Sequence, residues 1–138
     1  MPSAETVLCD TGPLVALFSE GQYAQESCQG ALKEVHGTLL TTLPVITEAF
    51  YFLDLGSERE LLWEFILGGA LRLAEILPAD LSRMRSLMKK YFDLPMDFAD
   101  ASLVAMAESL NVRKIFTLDR RHFGVYRPRH THSFDVFP

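Results

Sequence analysis

The chain has only two cysteines in 138 residues. Cys9 lies in an apolar, strand-like run and Cys28 in a helical one. That is too few for a disulfide framework or a thiolate metal knot, and both read as buried free thiols. No apolar run reaches the roughly 18 to 20 residues that cross a bilayer. Met1 to Thr6 lack the basic start and apolar stretch of a signal peptide. The expectation is therefore a cytoplasmic protein with no membrane partner. Internal repeats, low-complexity tracts and linkers are also missing, which leaves one domain spanning residues 1–138. With 49% hydrophobic and 22% charged residues, the chain can bury a sizeable core and is neither disordered nor fibrous in composition.

Positive charge is scarce, and the net charge of −5, if evenly spread, argues against a polyanionic partner. The spread is uneven. Residues 1–80 carry three basic side chains against twelve acidic ones, whereas residues 81–138 carry ten against six. Between Arg113 and His132, Asp119 alone opposes Arg113, Lys114, Arg120, Arg121, Arg127 and Arg129. This segment reads either as a set of phosphate contacts or as a solvated basic tail, and charge does not choose between them.

Periodicity and punctuation predict strands alternating with helices. Thr6 to Asp10 is an apolar run ending in a carboxylate, and Thr11-Gly12-Pro13 opens a helical pattern. A second helix is expected over Gln22 to Val35, a strand over Thr38 to Thr42, and a third helix over Leu43 to Leu55 with Pro44 in its first turn. Ser57 and Glu60 suggest a capping box for a fourth helix, which Gly68-Gly69 ends. Leu71 to Leu77 alternates as a strand, Ala79 to Phe92 reads as a helix, and Asp97 starts another that reaches about Leu110. Lys114 to Asp119 is a strand that again ends in an Asp, and the tail from Val125 to Pro138 offers a last edge strand. Few hairpin dipeptides separate these elements. The fold class that follows is α/β: a three-layer α/β/α sandwich around a mainly parallel sheet.

In such a sheet, ligands bind beyond the carboxyl ends of the strands. Asp10 and Asp119 both stand at that end, where each is either the cap of the next helix or a group facing the crevice. Asp97 and Asp100 are three residues apart on one helical face. They too are explained either as caps or as crevice acids. Glu48 sits among Val45, Ile46, Ala49, Phe50, Phe52 and Leu53 on a helix apolar nearly all round, so its carboxylate needs an Arg, a rim or a cation. Several acids gathered in one pocket repel one another unless a hard cation neutralises them. Oxygen-only ligands without a His or Cys cluster point to Mg²⁺, with Mn²⁺ as a substitute. Such an ion activates water and stabilises a phosphodiester's leaving oxygen.

Taken together, the motifs resemble the PIN domain, and especially the VapC-like ribonuclease toxins of type II toxin–antitoxin systems, over nearly the whole chain. Leu8-Cys-Asp-Thr-Gly-Pro-Leu14 resembles the first family motif, Thr47-Glu-Ala49 the second, Asp97-Phe-Ala-Asp-Ala-Ser-Leu103 the third and Thr117-Leu-Asp-Arg-Arg-His-Phe123 the fourth. The resemblance implies catalytic acids at Asp10, Glu48, Asp97, Asp100 and Asp119, with Asp10 and Asp100 as metal ligands. It also implies supporting hydroxyls at Thr11 and Thr117. With Arg120 and Arg121 these are the expected substrate contacts. An RNA substrate, a homodimer and a cognate antitoxin that blocks the pocket are further implications. The apolar surfaces around Phe50, Tyr51, Phe52 and Trp63 serve as core or as an interface.

Three rival readings fit less well. Asp10-Thr-Gly12 also matches the aspartic-protease triplet, but such enzymes are strand-rich and here a helix follows. An aspartyl-phosphate phosphatase wants a second Asp where Gly12 stands. A noncatalytic RNA-binding or partner-binding module of the same fold does not account for acids at every expected position.

If the basic segment contacts RNA phosphates, replacing both Arg120 and Arg121 with Ala weakens RNA binding and reduces the log–log salt slope by about 1.4, the single-strand value for two lost contacts. An unchanged slope, measured by titration across salt concentrations, returns both to the solvated tail.

Overall fold

A computed structural model describes residues 5–138; Met1 to Ala4, where part of the signal-peptide argument falls, lie outside the described residues. Five strands form one sheet: β1 (Thr6–Cys9), β2 (Thr38–Thr41), β3 (Leu71–Leu73), β4 (Lys114–Phe116) and β5 (Asp135–Phe137). Their order is β3-β2-β1-β4-β5 and every pairing is parallel. β1 is central, with Leu8 in register with Leu40 on one side and Ile115 on the other. Helices cover both its faces, so Val7, Leu8 and Cys9 are all fully buried. This is why the strand reads as an unbroken apolar run rather than an alternation.

Between the strands run α1 (Thr11–Phe18), α2 (Gln25–Lys33), α3 (Leu43–Phe52), α4 (Gly56–Leu67), α5 (Pro78–Lys90), α6 (Phe98–Leu110) and α7 (Arg120–Val125). α1 packs on α2, α3 and α4, while α5 packs on α6. The right-handed crossover rule assigns these two groups to opposite faces of the sheet, giving the expected three layers. α6 is buried along most of its length, from Ala101 to Ala107, and Asn111 ends it in the left-handed conformation at φ 55. Among the described residues no helix is long and apolar enough to cross a membrane.

Four details depart from the sequence expectation. The capping pair at α4 is not Ser57 and Glu60. Instead Glu58, buried, accepts from the backbone N–H of Leu55 at 3.3 Å and of Glu20 at 3.1 Å, so it caps α4 and ties down the end of the preceding loop at once. β3 stops at Leu73 rather than Leu77 because its neighbour β2 ends at Thr41, whose carbonyl takes the N–H of Ala74 at 2.8 Å as the last link. β4 stops at Phe116, three residues short of Asp119, which instead caps α7. α7 itself is absent from the expectation. Its six residues RRHFGV bury Phe123 alone, too few for a periodic signal.

Strand order changes direction between β1 and β4, so the crevice of this doubly wound sheet opens above their carboxyl ends. The residues that follow both strands therefore project into one place.

Two glycines give opposite expectations. A Cβ on Gly37, just before β2, would lie 1.8 Å from the Glu5 carbonyl oxygen, whereas one on Gly30 within α2 meets nothing within 4 Å. Gly37→Ala is expected to lower the unfolding free energy by about 1–3 kcal/mol through overpacking. Gly30→Ala is expected to raise it by about 0.5–1 kcal/mol. Denaturant melts check both, and shifts of the same sign would contradict the close approach at Gly37.

Candidate active site

The site begins at Asp10, the first residue after β1. Its backbone N–H donates to Phe116 at 2.9 Å, which holds the end of β1 against the end of β4. Its side chain is 8% exposed and both oxygens are occupied. Oδ1 accepts from the Thr11 N–H at 2.8 Å, capping α1, and Oδ2 accepts from the hydroxyl of Thr117 at 2.7 Å. The same Thr117 oxygen accepts the N–H of Asp119 at 3.0 Å. On the other flank, Thr41 donates to the Cys9 carbonyl at 2.7 Å, and Thr42 shares a 2.7 Å hydrogen bond with Ser102 of α6. Thr41, Thr42, Ser102 and Thr117 are all fully buried. A polar group without a partner is costly there, and each of these has one.

Three of the acids are helix caps. Besides Asp10, Asp97 accepts from the N–H of Asp100 at 2.8 Å, and Asp119 accepts from the N–H of His122 at 3.1 Å. Asp100, in the first turn of α6, accepts from the Tyr126 hydroxyl at 2.7 Å. Glu48, half-buried on α3, accepts from the Thr11 hydroxyl at 2.9 Å. The second oxygen of Asp119 lies 2.7 Å from His122 Nδ1, and the His122 ring stacks on that of Tyr126 with centroids 6.3 Å apart. Tyr126 is itself fully buried, with Tyr91 and Phe123 edge-on at 5.1 and 5.2 Å.

Burial and mutual repulsion disfavour the ionised acids. Desolvation is the largest cause raising Asp10 to about 6; Thr117 and Thr11 oppose it, and the charges of Asp119 and Asp97 add to it. Asp100 is also pushed up, chiefly by desolvation, against the Tyr126 hydrogen bond and with the charges of Asp10, Asp97 and Asp119. Glu48 is raised for the same main reason, with Thr11 opposing and Asp97 adding. The Tyr126 hydroxyl is driven well above its ordinary value by burial and by its bond to Asp100. Both cysteines are free and buried, and burial raises both thiols.

A cleft of about 690 Å³ collects these groups: Asp10, Thr11, Glu48, Asp97, Asp100 and Asp119 line it, with Gln22, Tyr23, Phe52 and His122 at its walls. All five sequence-predicted acids thus share one cavity, and capping and cavity-lining hold together at Asp10, Asp97 and Asp119. Thr117 lies beneath the cleft, committed to Asp10. Arg120 and Arg121 are outside its lining, and the Arg120 guanidinium donates to the Pro138 carbonyl. Sequence reasoning missed His122 and Tyr126. For His122 a signal was present in its spacing three residues after Asp119, which puts both on one face of a helical turn.

Among the described residues no three His, Cys, Asp or Glu side chains close into a ready-made metal cage. The donor set nevertheless fits a magnesium-type ion, which takes one or two carboxylates and keeps several waters. Asp10 and Asp100 are both desolvated and both raised by the neighbouring charges of Asp97 and Asp119, the state that a hard cation relieves.

The profile of the PIN domain matches residues 7–127. Ribonuclease VapC26 of Mycobacterium tuberculosis is 30% identical over 135 residues, covering 96% of this chain and 100% of that protein. Among solved structures, the sarcin–ricin loop cleaving toxin VapC20 of Mycobacterium tuberculosis superposes with a TM-score of 0.78 at 14% identity, over 96% of this chain and 99% of that one. A toxin–antitoxin complex from Klebsiella pneumoniae gives a TM-score of 0.67 at 18% identity, over 96% of both chains.

The raised acids set a stability profile for the metal-free protein. A carboxyl whose pKa is higher folded than unfolded stabilises the fold below its unfolded value near 3.8, and this contribution is lost as pH rises through about 6 for Asp10. The shift corresponds to about 3 kcal/mol. In EDTA, the melting temperature is expected to rise as pH falls from about 7.5 to about 5, and Asp10→Asn is expected to flatten that rise and melt higher than wild type at the upper pH. A variant that tracks the wild-type profile would contradict the desolvated, raised state of Asp10.

Proposed function

The chain belongs to the PIN domain family, and from that premise we propose that it is a metal-dependent ribonuclease that hydrolyses RNA phosphodiester bonds in the acidic cleft, as the toxin of a toxin–antitoxin pair. The observation that carries this reading is the convergence of five carboxylates in one open cavity, with Asp10 and Asp100 both desolvated there and both raised by the charges of Asp97 and Asp119. A structural protein gains nothing from that repulsion. A site that takes up a divalent ion with its substrate does.

Asp10 and Asp100 would hold Mg²⁺, or Mn²⁺ in its place. The bound ion supplies an activated water and charge stabilisation at the scissile phosphate. The chain's own residues do the rest. Thr117 and the Thr11 N–H fix both oxygens of Asp10, and Tyr126 fixes one oxygen of Asp100. Orientation is therefore set before the substrate arrives. Glu48, half-buried and biased toward protonation, suits the role of proton acceptor from the attacking water. It would take the proton on Oε2, because Thr11 holds Oε1. Asp97 and Asp119 add negative charge that raises the affinity of the cleft for the cation.

VapC26 is a ribonuclease by name, and the Klebsiella pneumoniae relative was solved as a toxin–antitoxin complex. By that likeness we assign a cognate antitoxin, and with it we propose the homodimer that the family resemblance implies. Exposed apolar side chains of α3 and α4 that do not line the cleft, Tyr51 at 77%, Trp63 at 48% and Leu67 at 79%, exceed what the core requires and suit such interfaces.

Incubating the purified protein with a pool of cellular RNAs, with and without Mg²⁺ or Mn²⁺, and mapping the new ends tests the activity and its target together. Asp10→Asn and Asp100→Asn are each expected to reduce cleavage at least a hundredfold while the fold persists by circular dichroism, since each removes a proposed metal ligand. Undiminished cleavage by either variant, or equal cleavage in EDTA, would overturn the mechanism.

A further inference from the structure

The acidic cleft leaves a recognition problem. Five carboxylates face it and, among the described residues, no lysine or arginine lines it. A bound cation can neutralise the scissile phosphate, yet it gives no grip on the neighbouring nucleotide. Of the basic side chains nearest in sequence, Arg120 is engaged with the Pro138 carbonyl and Arg127 with the Gly124 carbonyl, and Arg121 is exposed outside the lining. Within the lining, no basic side chain offers a phosphate contact, which leaves room for a contact that does not depend on charge.

We propose that Tyr23 and Phe52, the aromatic side chains at the rim of this cleft, form a subsite that stacks an unpaired RNA base beside the scissile phosphate. The inference rests on the ribonuclease reading above and names the form of RNA it requires. Both rings line the same cavity as the acids. Tyr23 is 91% exposed and Phe52 55%, a large aromatic area left in water. Phe52 stands four residues after Glu48 on α3, one turn along the same face. Tyr23 belongs to the loop that follows α1, the helix capped by Asp10. A base seated at the rim is thus adjacent to the reacting groups through two separate elements. Tyr51 packs edge-on against Phe52 with centroids 5.3 Å apart at 79°, which limits how the Phe52 ring can turn. Every base has a π-face, and stacking on an aromatic side chain is worth about 1–3 kcal/mol. In a duplex that face is covered by neighbouring bases, so the subsite selects single strands and loops.

The test measures binding of a labelled single-stranded oligoadenylate, with Ca²⁺ in place of Mg²⁺, to wild type, Tyr23→Ala, Phe52→Ala, Tyr23→Phe and Phe52→Tyr. Each Ala variant is expected to weaken binding roughly fivefold to a hundredfold, and each aromatic variant to stay within about twofold of wild type. An oligoadenylate carrying one abasic position, moved along the strand, should at one register bind wild type as weakly as the intact strand binds the Ala variants, and should lose nothing further on those variants. Full binding by the Ala variants overturns the subsite, as do additive losses from the Ala and abasic changes, or equal losses in the Ala and aromatic variants. Ala variants that keep RNA binding but no longer hold a co-purified protein partner would reassign both rings to that partner. Failure of the ribonuclease reading is separate and visible as wild-type protein that leaves cellular RNA uncut with Mg²⁺ or Mn²⁺.

Discussion

The hydroxyl of Thr117 is the hinge of this structure. It donates to Asp10 at the end of the central strand and accepts the backbone N–H of Asp119, so two chain segments meet at one oxygen. Without it, a carboxylate that is 8% exposed would keep a single backbone partner, in a place where an unpartnered charge costs several kcal/mol. The bond relieves only part of that cost, since Asp10 still rises to about 6. The fold thus keeps a strained electrostatic state at the mouth of its sheet while the apolar core of β1, β2 and β4 holds the geometry.

Capping and a place in a binding crevice are usually weighed as competing explanations for an Asp at a helix start. Here they coincide. Asp10, Asp97 and Asp119 each accept a backbone N–H of the helix they begin, and each lines the cleft. For Asp10 and Asp119 the coincidence has a cause: in a parallel α/β sheet the helix that follows a strand starts where the strand ends, so its cap is at the crevice. Asp97 is there because α6, which leads back into the start of β4, begins at that same end. Capping orients each carboxylate, and the dipole of the helix behind it partly offsets the repulsion from its neighbours.

Much of this was legible in the sequence. Alternating apolar runs and helical patterns located the sheet and most helices, because parallel strands buried on both faces read as unbroken hydrophobic stretches. The acids could be singled out because Asp10 and Glu48 stand among apolar residues where an ionised group needs a reason. Three things were not legible. α7 buries one large residue and so carries no period. The cap at α4 comes from Glu58, which also reaches the loop after α1, a tertiary contact that no local motif encodes. Tyr126 belongs to the site only because α6 brings Asp100 under its hydroxyl. The basic segment was visible as charge, but sequence could not show that Arg120 turns toward the chain's last residue.

The contact between Asp10 and Thr117 spans 107 residues. Asp10 leaves the ribosome that many residues before the hydroxyl that fixes its second oxygen. Tyr126, which holds Asp100, emerges later still. A growing chain can form α1 and the strands beside it and yet lack both groups that orient the acids. Assembly of the cleft is thereby deferred until the segment from β4 through Tyr126 has emerged, and in any shorter fragment the carboxylates lack their fixed orientation.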